Sequence, residues 1–211
     1  RLALRAEQVV TVEVDEPSAA AAAEHLAAFD NVTALCCDFL ERKHKINPVV
    51  TQAVAPLQAA TGRPLHVVAN LPYSISSPAI INLLEWTVPV GEMCLMVQKE
   101  VAERLVAAPG TGDYGPLTIY ANSWAETQRV FNLGKNTFWP SPQVASTLVH
   151  MSRTRAHVEA EHYEVFVEVV RRLMTLRRKT LRKALKSGWS ARVADATIEK
   201  LDVDSNIRPE K

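Results

Sequence analysis

Residues 65–73 read Leu65-His66-Val67-Val68-Ala69-Asn70-Leu71-Pro72-Tyr73: an apolar run that stops abruptly in a carboxamide, a proline and an aromatic ring. Such a run, bounded by a turn signal, reads as a buried strand. Runs of the same kind occur at 9–14, 32–37 and 93–98, and helical patterns separate them at 18–29, 48–60 and 77–86. Ser18, after Pro17, is the expected cap of the first helix. Strands alternating with helices predict an α/β fold with a parallel sheet covered on both faces. Two later runs, 128–132 and 146–152, have no helix between them and are expected to close one sheet edge as an antiparallel pair.

Beyond Arg153 the pattern becomes helical only. A single long amphipathic helix is expected over 162–186, with Phe166, Val169, Val170, Leu173, Leu176, Leu181 and Leu185 on one face. Gly188 would stop it, and a shorter helix would follow at 193–201. The expected division is therefore residues 1–153 and residues 154–211.

The chain is 47% hydrophobic and 22% charged, ordinary for a folded globular protein. No apolar run approaches the roughly 18 residues that cross a bilayer. Nothing reads as a secretion signal, so a cytoplasmic protein without membrane contact is expected. Cys36, Cys37 and Cys94 lie in apolar runs without metal-ligand spacing; buried free thiols and no metal site are expected. The net charge of +1 hides an asymmetry, because residues 151–211 hold 14 Lys+Arg against 9 Asp+Glu. A basic C-terminal part suggests contact with a polyanion. His157 and His162 are expected at the surface.

Parallel sheets bind ligands past the carboxyl ends of their strands. Glu13, Asp38 and Asn70 each stand at such an end. Glu13 suits the acceptor role toward ribose hydroxyls, with Asp15 its rival. Asp38 could accept from the exocyclic amine of an adenine, or serve as an ordinary cap or loop aspartate. The one Gly-x-Gly-x-x-Gly, Gly110 to Gly115, follows a helical pattern rather than a strand, so a surface loop is expected there. No glycine precedes Gly62, and a glycine loop upstream of Arg1 is expected.

The tetrapeptide Asn70-Leu71-Pro72-Tyr73 suits gripping a planar base. An adenine N6 amine is a poor nucleophile because its lone pair is delocalised into the ring. The Asn70 side-chain oxygen and the Leu71 carbonyl can each accept one of its N–H groups. That draws the nitrogen toward tetrahedral geometry and frees the lone pair for attack on an electrophilic methyl. Pro72 fixes the turn, and Tyr73 offers a stacking face worth roughly 1–3 kcal/mol.

Six segments then carry a resemblance. They are residues 70–78 (NLPYSISSP), 97–105 (VQKEVAERL) with 113–117 (DYGPL), 138–149 (FWPSPQVASTLV), and 178–185 (RKTLRKAL) with Arg208-Pro209-Glu210. In this order they resemble the ribosomal RNA adenine N6-dimethyltransferase family, and most of all its bacterial small-subunit branch. The resemblance implies a Rossmann-like methyltransferase domain, a small helical C-terminal domain and S-adenosylmethionine as methyl donor. It also implies small-subunit ribosomal RNA, in an immature subunit, as substrate, and a monomer. It gives Glu13 the ribose role and Asp38 the adenine-amine role, with Phe39 beside it in the cofactor site. Asn70 serves both cofactor and target, and Phe138 covers the target base opposite Tyr73. Ser74 and Phe39 depart from the family pattern, where asparagine and a smaller residue are usual. Family members also begin with a glycine-rich loop before the position of Arg1 and continue with a further helix. Two other readings stay open: a resistance-type enzyme acting on large-subunit RNA, and a non-catalytic RNA-binding assembly or transcription factor.

Arg171, Arg172, Arg177, Arg178, Lys179, Arg182, Lys183 and Lys186 place eight cations and no anion within 16 residues. Like charges at helical spacing repel, so phosphate contact is the expected reason for the run.

Overall fold

The computed structural model describes residues 1–154 and 160–211; His157 lies outside them, and His162 is exposed as expected. The chain divides into two compact units, residues 1–97 with 150–153 and residues 98–149 with 154–211. This division does not coincide with the change to an all-helical pattern near residue 153, because short helices before that point pack with those after it.

The first unit opens with a short 3-10 turn at Leu2–Leu4, followed by β1 (Val9–Glu13), α1 (Glu16–Leu26) and β2 (Val32–Cys36). Asp15, not Ser18, caps α1: its carboxylate accepts from the Ser18 N–H at 3.0 Å. β1 and β2 are parallel, with Glu13 opposite Cys36. Next comes a hairpin absent from the sequence expectation, β3 (Leu40–Arg42) with β4 (Lys45–Ile46). α2 (Pro48–Thr61) starts on the Asn47 side chain, with Pro48 in its first turn, and ends on Gly62, whose φ of 65° suits glycine. β5 (Leu65–Asn70), α3 (Ser76–Glu85) and β6 (Val90–Gln98) follow, β5 and β6 parallel with Asn70 opposite Met96. The parallel strands thus form two separate pairs rather than one sheet. β5 is also less covered than its apolar sequence predicts, since Val68 is 60% exposed.

The best-buried part of this unit is α3 against β6, with Ala79, Ile80, Leu83 and Leu84 on the helix and Val90, Met93, Leu95 and Val97 on the strand. Buried Asn82 is satisfied by donating to the carbonyls of Lys43 (3.0 Å) and Pro78 (2.7 Å), which ties α3 to the β3–β4 turn. Cys36 is exposed and Cys37 and Cys94 are half-buried, all free; the expectation of buried thiols fails for Cys36 and Cys37 because β1, β2 and α1 carry no fully buried residue, and for Cys94 because it alternates with the buried Met93 and Leu95 along β6.

The second unit holds α4 (Lys99–Leu105), α5 (Pro116–Trp124), β7 (Ala125–Leu133), α6 (Tyr163–Thr175), α7 (Leu181–Lys186) and α8 (Ala191–Leu201). β8 (Ser146–Arg153) serves both units. Its end lies beside β6, where Ser152 donates to Glu92 at 2.8 Å. Its start lies beside β7, where Thr147 donates to Asn132 at 2.8 Å. The Thr154 N–H reaches the Trp124 carbonyl at 3.0 Å, so β7 and β8 run antiparallel as expected. The sequence predicts a loop at Gly110 to Gly115 and no element at 116–124. Instead Pro116 occupies the first turn of α5 after Gly115, and Thr118 donates to the Arg104 carbonyl at 2.6 Å. Tyr120, Trp124, Tyr163 and Phe166 then join α5 to α6 through ring contacts of 5.5–5.9 Å.

The expected 162–186 helix is broken. α6 ends at Thr175, and Thr180 caps α7 with its hydroxyl 3.4 Å from the Lys183 N–H. The carbonyls of Ile207 and Ser205 accept from Leu181 (2.7 Å) and Arg182 (3.1 Å), so the C-terminal segment satisfies donors that a continuous helix would have used internally. Leu185, Ala194 and Ile198, with Leu173, Leu181 and Trp189, form the core of α6–α8. Gly188 is not a left-handed stop; it lets Arg172 pass close by, since a Cβ there would sit 2.8 Å from Arg172 Cδ and the arginine side chain would have to shift.

Truncating Leu84, which is fully buried, should cost about 2–5 kcal/mol. Urea unfolding of Leu84→Ala checks this; a loss below about 1 kcal/mol would contradict the placement of the core.

Candidate functional site

Glu13 and Asp38 come together through the β1–β2 register, since the Cys37 N–H donates to the Glu13 carbonyl at 3.0 Å. Glu13 is half-buried, and its Oε1 accepts from the N–H groups of Val14 (2.8 Å) and Asp15 (3.0 Å). Those bonds fix the carboxylate while leaving Oε2 without a partner among the described residues. Asp38 does the same at the next strand end: Oδ1 accepts from the Leu40 N–H at 3.0 Å, and Oδ2 is left over. Asp15 serves α1 instead, and the Ser18 hydrogen bonds hold its carboxyl pKa below the usual aspartate range. The signal for this was present in the sequence as Asp15 three residues before Ser18, a cap spacing.

The Asn70–Tyr73 turn follows β5 directly. Leu71 is buried, and its N–H donates to the Met96 carbonyl at 3.1 Å. The Pro72 carbonyl accepts from Ile75 (3.1 Å) and the Tyr73 carbonyl from the Ser76 hydroxyl (3.3 Å), which closes the turn into α3. Among the described residues nothing donates to the Leu71 carbonyl or to the Asn70 side chain, and Asn70 is exposed. The turn therefore uses the Pro72 and Tyr73 carbonyls internally and leaves the Asn70 carboxamide and the Leu71 carbonyl open among the described residues. The Tyr73 ring is half-buried.

One apolar cluster supports all three strand ends. Leu40, Ile46 and Val50 are its centre, with Val12, Leu35, Cys37, Phe39, Ile75 and Trp86 packed against it. Val12 adjoins Glu13, Cys37 and Phe39 flank Asp38, and Ile75 closes the tetrapeptide turn. Phe39 thus has a packing role that its expected place in the cofactor site did not include. Among the described residues no group of three or more His, Cys, Asp or Glu could hold a metal. Phe138 is half-buried and lies in the second unit, after a 3-10 turn at Lys135–Thr137.

The eight cations of 171–186 do not form one uniform face. Arg171 and Arg172 both pair with Glu168 on α6, Arg171 at 2.6 Å, and Arg172 also covers the Trp189 ring at 5.6 Å. Arg182 (3.7 Å) and Lys186 (3.0 Å) share Asp195 of α8. Arg177 donates to the carbonyls of Gly112 (3.3 Å) and Tyr114 (3.2 Å) and lies 3.9 Å from Glu210. It clamps the glycine-containing loop to the C-terminal Arg-Pro-Glu segment. The compensating anions lie outside the 16-residue window: Glu168 earlier on α6, Asp195 on α8 and Glu210 in the C-terminal segment. Arg178, Lys179 and Lys183 are exposed and have no ion pair among the described residues. Arg178 and Lys179 border an open hollow of about 410 Å³ at the α6–α7 bend.

Parallel strand pairs with carboxylates and a carboxamide past their carboxyl ends are the arrangement of a ligand-binding, Rossmann-like α/β fold. The fold is similar to the crystal structure of a dimethyladenosine transferase from Plasmodium falciparum, at TM-score 0.72 and 23% identity, covering 100% of this chain and 72% of that one. It is also similar to the crystal structure of the 23S rRNA methyltransferase ErmE, at TM-score 0.65 and 24% identity, covering 99% of this chain and 80% of that one. A family model for ribosomal RNA adenine dimethylase matches residues 1–211, and the chain belongs to that family. Among its relatives is the ribosomal RNA small subunit methyltransferase A of Geobacillus thermodenitrificans, 39% identical over 86% of this chain and 60% of the relative. The protein of that name from Caldanaerobacter subterraneus subsp. tengcongensis is 37% identical over 99% of this chain and 75% of the relative.

Hydrogen bonds from Arg171 and Arg172 hold the Glu168 carboxyl below the usual glutamate range. A group depressed on folding stabilises at pH above its unfolded value and loses that effect as pH falls through its folded one. Glu168→Gln should therefore flatten the acid limb of thermal unfolding at low salt. An unchanged limb would exclude Glu168 as a contributor.

Proposed function

We propose that this protein transfers methyl groups from S-adenosylmethionine to the N6 amines of two adjacent adenosines near the 3′ end of small-subunit ribosomal RNA, in immature subunits. Family membership and the names of its relatives support this reading. The observation that carries it is the turn after β5, which uses the Pro72 and Tyr73 carbonyls internally and leaves the Leu71 carbonyl and the Asn70 carboxamide open among the described residues.

Glu13 Oε2 would accept from the ribose of the methyl donor and Asp38 Oδ2 from its adenine amine. Their existing hydrogen bonds hold each carboxylate in one orientation, so little is lost on binding. When bound, the donor supplies an electrophilic methyl group. Asn70 and Leu71 accept from the target amine, so its lone pair is free to point at that methyl. Tyr73 and Phe138 would sandwich the base. Residues 1–153 supply the chemistry in this reading. Residues 154–211 supply RNA contact, led by Arg178, Lys179 and Lys183, because the other five cations must first leave a carboxylate or a carbonyl. The protein acts as a monomer in the cytoplasm, and no helix among the described residues is long and apolar enough to cross a membrane.

Labelled methyl transfer to immature small subunits by the full-length protein is the deciding experiment. Asn70→Ala should lower kcat about 10²–10³-fold, as removal of a single positioned polar group does in other enzymes. Glu13→Ala should instead weaken donor binding, read by calorimetry. No transfer by the unaltered protein would sink the enzymatic reading in favour of a non-catalytic RNA-binding factor; transfer to large-subunit RNA instead would favour the resistance-type reading.

RNA affinity should fall steeply with salt. Neutralising Arg178, Lys179 or Lys183 should each reduce the slope of log K against log salt by about 0.7–0.9. An unchanged slope in all three variants would remove this surface from the RNA interface.

A further inference from the structure

Trp139 is 98% exposed, an unusual state for the largest apolar side chain. Among the described residues its indole makes no ring contact and no hydrogen bond. The backbone beneath it, however, is held. The Thr137 N–H donates to the Gly134 carbonyl at 3.1 Å, the Phe138 N–H to the Lys135 carbonyl at 3.4 Å, and the Ser141 hydroxyl to that same carbonyl at 3.0 Å. Pro140 and Pro142 restrict the chain that follows. The ring is thus presented to solvent from a constrained segment, which lowers the entropic cost of a partner settling on it.

The charge of the flanking sequence favours one kind of partner. Between Glu126 and Glu159 the sequence has no carboxylate, although the chain holds 23 in all, and the interval carries Arg129, Lys135, Arg153 and Arg155. An exposed indole in a segment with cations and no anions suits a nucleic-acid strand, whose bases stack and whose phosphates are attracted. Phe138 has an extended backbone, φ −115° and ψ 151°, and successive side chains on extended backbone point to opposite sides. Trp139 therefore cannot share the position of Phe138.

We propose that Trp139 is a positioning residue that stacks on an unpaired RNA base next to the target adenosine, with Lys135 near the adjoining phosphate. The proposal rests on the function proposed above, with Phe138 over the target base. Its consequence is substrate register: the strand is held at two successive nucleotides, one on each side of a single short segment.

The test uses the full-length protein and a single-stranded RNA carrying 2-aminopurine beside the target adenosine. Trp139→Ala should raise KM for this RNA about tenfold with kcat changed less than about twofold, and should abolish the 2-aminopurine quenching seen on binding. Trp139→Phe should recover most of both, and thermal unfolding should be the same in all three proteins. Unchanged KM and quenching in Trp139→Ala would overturn the proposal, as would a Phe variant no better than Ala. A defect seen only with whole subunits and not with free RNA would assign Trp139 to a protein contact and overturn it too. If the unaltered protein transfers no methyl, the function fails separately. Quenching then still decides: its loss in Trp139→Ala supports stacking, and its persistence rejects it.

Discussion

The hydrogen bond from the Leu71 N–H to the Met96 carbonyl, 3.1 Å long, is the constraint on which the site depends. It extends the β5–β6 register one residue past Asn70, so the chain leaves the strand only after the carboxamide has been placed. Pro72 then brings no N–H that would need a partner, and the next two carbonyls are claimed by the start of α3. What remains unclaimed is the pair of acceptors on Asn70 and Leu71. The burial of α3 against β6 keeps that pair in place, because a shift of the helix would open the turn and expose Ile80, Leu83 and Leu84 together.

The second unit follows a different logic, in which charge is largely structural. Glu168, Asp195 and Glu210 each meet two basic side chains. Exposed ion pairs of this kind contribute little individually; their effect here is to orient. Arg172 is drawn over Trp189 and across Gly188, and Arg177 is turned toward the loop before α5. The net positive charge of residues 151–211 therefore overstates what is available to a polyanion, since five of the eight clustered cations already have protein partners.

The strand-and-helix alternation of the first unit was legible because β1, β2, β5 and β6 centre on apolar runs and α1 and α2 begin with a cap or proline signal; the β3–β4 hairpin, Leu-Glu-Arg and Lys-Ile, carries no such run. Glu13, Asp38 and Asn70 followed from strand ends alone. What could not be read depends on partners distant in sequence. α5 is short and preceded by glycines and proline, and its packing comes from Tyr163 and Phe166, some 40 residues later. The break at 176–180 has its donors satisfied by Ser205 and Ile207. The local pattern of leucines runs straight through that break, so periodicity predicts one helix where the C-terminal segment makes two. Asn82 and Arg177 were missed or misassigned for the same reason: each acts on backbone carbonyls that only the fold brings near.

Glu13 and Asp15 show how two identical-looking candidates separate. Both carboxylates follow the same strand, two residues apart, and composition gives no reason to prefer either. Asp15 stands three residues before Ser18 at the start of α1, and its oxygen is used by that N–H. Glu13 has one more methylene and an earlier position, so its Oε1 folds back onto the N–H groups of Val14 and Asp15 while Oε2 stays clear. Each carboxylate stabilises the chain reversal between β1 and α1 through one oxygen, Glu13 through Oε1 and Asp15 through Oδ2. What separates them is the partner: Asp15 is tied to the first turn of α1, whereas Glu13 holds the strand end itself, so the oxygen left on Glu13 stays at the β1 carboxyl end, where parallel sheets bind ligands.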